Sequence, residues 1–125
     1  MKKITSNKWA FLAFIWFIGS IYILFIKVEP QPSTSIDFDR VSHFGLFFGQ
    51  TWLIIKIFFS LNQLIPIFKL LLSAIFWAII CECIATLLFF HHNTILNILT
   101  DCFGIVTALI LGVRVQTAHI HYRNK

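Results

Sequence analysis

Two acids stand on either side of a short polar break in otherwise apolar sequence: Glu82 and Asp101, with His91, His92 and Asn93 between them. A carboxyl group among Trp77, Ile79, Ile80 and Ile84 must be protonated, paired or facing water, because an isolated buried carboxylate is very costly. Binding or proton handling is the chemistry that Glu82 suits. A third ionisable group, His43, lies at i+4 from Asp39, on the same helical face. Asp39 is expected to open its helix as the N-cap, accepting orphan backbone N–H groups. His91 and His92 would titrate near neutral pH at the mouth of such a site. Beyond them Asn97, Asp101, Gly104 and Ala108 recur at helical spacing, one face of small and polar residues that is expected to turn inward.

The elements that hold these residues follow from composition. The chain has 125 residues, 58% hydrophobic, 17% aromatic and only 12% charged, which is more apolar mass than a soluble domain of this size can bury. Four apolar runs, 9–26, 41–60, 67–90 and 94–113, each approach the roughly 20 residues of a spanning helix. Backbone groups in lipid must be satisfied within the segment, which excludes open sheets, and the alternation of a membrane barrel is absent. The expected fold is all-α: an integral membrane four-helix bundle over 9–113, with basic tails at 1–8 and 114–125 and an irregular external loop at 28–38 carrying Pro30 and Pro32. The first run exceeds the roughly 7–15 residues of a signal-peptide core and reads as an uncleaved anchor.

Charge sets the expected orientation. With the N-terminus inside, Lys2, Lys3, Lys8, Lys56, Lys69, Arg114, Arg123 and Lys125 are cytoplasmic and only Lys27 and Arg40 external, so both termini are expected in the cytoplasm. The net charge of +5 is thus topological; no basic stripe interleaves with polar aromatics, and nucleic acid is excluded as a partner. The short connection 61–66 predicts that the second and third helices are antiparallel neighbours. Gly45 with Gly49, and Ser73 or Ala74 with Ala78 and Ala85, supply small faces for close helix approach or for a homo-oligomer. Gln50 lies two turns below His43, and Lys56 is expected to reach the inner surface. Cys81, Cys83 and Cys102 have no metal-type spacing, and neither a metal nor a cofactor is expected.

At about 1.5 Å per residue, Glu82 lies roughly 12 Å, Asp101 roughly 10 Å and His43 roughly 6 Å below the external ends of their helices. Antiparallel helices bring such residues to one level, so the three are expected to converge in the outer half of the bilayer.

In this order the residues resemble the VanZ-like family of small bacterial membrane proteins. Its pattern is Asp-Lys-x-x-His-Phe at the outer start of one helix, Glu-x-x-Gln on the next, and an Arg before an Asp-x-x-x-Asn/Asp-x-x-Gly helix. Asp39, Arg40, His43 and Phe44 in DRVSHF match the first part, Glu82 the second, and Asp101 with Gly104 the last. The chain departs from it at Ala85 in place of Gln, His91 in place of Arg and Asn97 in place of the first Asp. Replacing an always-charged Arg removes a fixed bidentate anion ligand. The resemblance implies a multi-pass protein of the bacterial cytoplasmic (inner) membrane and cell envelope, from a family linked to teicoplanin resistance.

The reading favoured is a membrane protein, non-enzymatic or of unassigned activity, that binds a membrane lipid, a lipid-linked envelope precursor or an amphiphilic antibiotic, with Asp39, His43, Glu82, His91, Asn97 and Asp101 as ligand-binding residues in an apolar groove. The alternative is an intramembrane hydrolase or transferase with Glu82 as general base, His43 as acid or orienting partner and Asp101 steadying either. No Ser or Cys nucleophile pairs with a His, and no phosphate loop is present. A metal variant would use His43, Glu82, Asp101 and one of His91 or His92 as ligands.

Overall fold

The computed structural model describes residues 2–25, 36–89 and 94–125, with side chains over 6–23, 41–88 and 95–125. All regular structure in it is helical: α1 (Lys2–Phe25), α2 (Ile36–Ser60), α3 (Ile67–Phe89) and α4 (Thr94–Arg123). Between the end turns of a helix the backbone groups bond within the segment, whatever lies outside it, which suits these Leu-, Ile- and Phe-rich runs. Three of the four, α2, α3 and α4, are long and apolar enough to cross a membrane. The outward surfaces of α3 and α4 stay apolar: Phe76, Leu87, Leu99 and Phe103 are all well exposed.

Element ends differ from the sequence reading in three places. Helix α1 starts at Lys2 and α4 runs on to Arg123, so most of each basic tail is helical; Lys and Arg are good helix formers, and His121 and Arg123 suit a last turn. Helix α2 opens at Ile36, which takes in the end of the expected 28–38 loop and sets Asp39 inside the first turn rather than at the cap. Acidic residues in a first turn are what the helix macrodipole favours. The rest of that loop, and the side chains of Asp39 and Arg40, lie outside the described residues.

Packing runs α1 on α2, α2 on α4 and α4 on α3, with slight contact between α2 and α3. The short connection therefore does not make α2 and α3 close neighbours: α4 takes that place, running parallel to α2. What draws it in is a glycine. A Cβ on Gly104 would lie 2.7 Å from the Phe44 carbonyl oxygen and 3.3 Å from the Phe48 backbone nitrogen, so the two backbones touch there. One glycine of the expected pair on α2 has a similar use, since a Cβ on Gly49 would run into the Trp16 indole, whereas Gly45 faces open space. The Trp16 indole N–H also donates to the Leu46 carbonyl at 3.0 Å, tying α1 to α2. Phe17 and Trp77, with ring centroids 5.1 Å apart, link α1 to α3.

At one end, Asn62 adopts φ 54° and closes α2, with Gln63 N–H bonding back to Phe58 O and Asn62 N–H to Phe59 O. This is a Schellman closure, in which Asn is a tolerated substitute for Gly. Gln116 of α4 clamps the connection, donating to Gln63 O at 2.9 Å and accepting from Ile65 N–H at 3.4 Å. The apolar core, Phe47, Ile55, Ile65, Leu70, Ala78, Cys81, Ile105 and Leu109, fills the bundle from there upward. Lys56 stays half-buried on the α1–α2 seam, its ammonium 5.3 Å from the Trp52 ring and 5.6 Å from the Trp9 ring.

Candidate functional site

At the other end the buried residues change character. His43, Glu82, Asn97 and Asp101 are all buried, Glu82 at 2% and Asp101 at 1% exposure. Each helix delivers them by its own periodicity. On α4, Asn97, Asp101, Gly104 and Ala108 are buried while Leu96, Leu99 and Phe103 are exposed, so the small and polar face does turn inward. On α3, Ala78, Cys81, Glu82 and Ala85 are buried. Ala74 lies on the covered side, whereas Ser73 is exposed and bonds the Lys69 carbonyl.

The three ionisable groups share a level. His43 follows Ile36, Asp101 follows Thr94 and Glu82 precedes Phe89 by the same two turns, roughly 10 Å. The opposite end agrees. The Gln116 clamp puts Ile65 beside Gln116, and counting up α3 and α4 from there places Glu82 and Asp101 within roughly one turn of each other. His43 lies deeper than expected because α2 begins earlier. His43 and Asp101 meet directly, Nδ1 to Oδ1 at 2.9 Å. The contact sits one turn from Gly104, so the close approach of α2 and α4 is also what brings imidazole and carboxylate within reach. Phe44 packs its ring 5.6 Å from Phe103 on the same seam.

Glu82 differs from this pair. Both of its carboxyl oxygens are buried with no hydrogen-bond partner among the described residues, and the Oε1 of half-buried Gln50 is in the same state. Buried polar groups are satisfied in the great majority of cases, so such a carboxyl needs an explanation. Among the described residues no Lys or Arg is buried, and no three His, Cys, Asp or Glu side chains come together as metal ligands. His91, His92 and Asn93 lie outside the described residues. His119 and His121 are exposed on the last turns of α4, and the three cysteines are free thiols.

Two residues escape the sequence reading. Gln116 falls within the expected basic tail, and Thr51, buried at 2%, is hidden in an apolar run. Thr51 recurs two turns after Phe44, on the stripe that also holds Phe47 and Ile55, and this periodicity is the signal that finds it.

The geometry defines an all-helical chain with three helices able to cross a membrane and a buried polar layer of His, Glu and Asp toward one end. No protein-family model, no curated protein and no solved structure matches this chain.

Proposed function

We propose that this chain is a multi-pass membrane protein of the cell envelope, VanZ-like in its ordered set Asp39, Arg40, His43, Phe44, Glu82, Asp101 and Gly104. In this reading α1 is a fourth membrane helix, both termini are cytoplasmic, and the polar layer lies in the outer half of the bilayer. The protein binds the polar part of an amphiphile there: a lipid, a lipid-linked envelope precursor or an amphiphilic antibiotic entering from the outer leaflet.

One observation carries the reading. A carboxyl group buried without any partner destabilises the fold by the desolvation of its oxygens and returns nothing to it, so it serves something other than stability. An apolar exterior around that layer suits a ligand with a long hydrocarbon part. The test is mass spectrometry of lipid co-purifying with the wild type and with Glu82→Gln. A specific lipid species lost in the variant is the expected result; unchanged lipid content would overturn it.

The hydrolase or transferase reading has the His43–Asp101 bond in its favour, since an imidazole steadied by a carboxylate is held in place to act as the acid or orienting partner of Glu82. Turnover of a lipid substrate by purified protein, abolished in both His43→Ala and Glu82→Gln, would establish it over simple binding.

A further inference from the structure

We infer that the group received by Glu82 is an ammonium carried on an amphiphile, and not a phosphate or carboxylate. The inference rests on the binding reading above and names the chemical class of its ligand. Every unsatisfied atom of Glu82 is a carboxyl oxygen, and Gln50 adds one amide oxygen, so what the described interior lacks is donors. Opposite a cation the carboxyl is ionised and only accepts. None of the described cations supplies the missing donor: His43 is engaged by Asp101, and Lys8, Lys69, Arg114 and Arg123 are exposed. Lys56 is held among aromatic rings more than three turns along α2 from His43, roughly 20 Å away.

An anionic head group would bring acceptor oxygens to a carboxyl that offers at most its own proton, and like charge once that proton is lost. Among the described residues this layer has Ala85, Asn97 and no buried Arg to offset such a charge. An alkylammonium reverses each term. Its N–H groups donate to Oε1 and Oε2, its charge opposes that of the carboxylate, and its chain lies along the exposed apolar faces of α3 and α4.

The test compares three probes by native mass spectrometry of the purified full chain in a neutral detergent: dodecylammonium, dodecyl phosphate and free ethanolamine. Dodecylammonium is expected to bind at least about tenfold more tightly than dodecyl phosphate, as like-charge contact requires, with ethanolamine weaker than either chain-bearing probe. Glu82→Gln is expected to remove the preference for the amine. Phosphate bound as tightly as amine in the wild type overturns the inference and needs no variant to fold. If that binding still depends on Glu82, the site survives and only its ligand class is wrong. Ethanolamine bound as tightly as dodecylammonium overturns the amphiphile as its source. If no probe binds the wild type, the binding reading and this inference fall together.

Discussion

At the scale of single residues, Glu82 and the His43–Asp101 pair are buried in the same polar layer but differ in what they contribute. The pair offsets its burial with a 2.9 Å hydrogen bond across two helices. Removing either partner takes this hydrogen bond from the other inside a buried layer, so His43→Ala and Asp101→Ala are each expected to destabilise. Their double-mutant cycle should return a coupling of about 1–3 kcal/mol in thermal or denaturant unfolding. Glu82 has no such partner. Replacing it with an apolar residue of similar volume, Glu82→Leu, removes two unsatisfied oxygens from the interior and should stabilise the ligand-free protein by about 1–3 kcal/mol. A higher unfolding midpoint together with lost lipid binding is the signature of a residue kept for function against stability. A lower midpoint would identify Glu82 as a structural group.

At the scale of elements, Gly104 decides which helices meet. A methyl group there would press on backbone, which cannot rotate aside as a side chain can. Gly104→Ala is therefore expected to cost about 1–3 kcal/mol by overpacking, and to weaken the His43–Asp101 contact one turn away. Gly45→Ala is the control. It faces open space, and alanine should add about 0.5–1 kcal/mol through helix propensity alone. Unfolding of both variants in one detergent makes the comparison. Helix number and the inward faces of α3 and α4 were legible in the sequence because they are periodic properties of single segments. The pairing of helices was not. A short connection between α2 and α3 argued for neighbours, yet the close backbone approach at Gly104 and the Gln116 clamp favour α4 on both. Such contacts between distant segments leave no mark in either segment alone. The site was legible to the same extent: His43, Glu82 and Asp101 stand out as ionisable groups in apolar runs, whereas the bond that joins two of them and isolates the third depends on helix pairing.

At the scale of the whole molecule, charge and polarity are separated along the bundle axis, and this separation argues for orientation. Lys56 sits over Trp9 of α1, Lys69 lies in the first turn of α3, and Arg114 precedes the Gln116 clamp, so these three cations collect at the end that holds the 61–66 connection, while Arg40 lies near the start of α2 at the other. The buried acids lie toward the other end, in the last turns of α3 and the first of α4. In the proposed orientation the short basic segments lie on the cytoplasmic side, the connection and α4's C-terminus with them, and the Glu82 layer opens toward the outer leaflet. Single-cysteine labelling checks this. In a background with Cys81, Cys83 and Cys102 replaced, Ser33→Cys should react with a membrane-impermeant maleimide in intact cells, and His119→Cys only after permeabilisation. The reverse pattern would put the Glu82 layer in the inner leaflet, and the ligand would then be a cytoplasmic-face amphiphile. Labelling of both sites in intact cells would rule out the four-span arrangement, because an even number of crossings leaves both termini on one side of the membrane and residue 33 on the other.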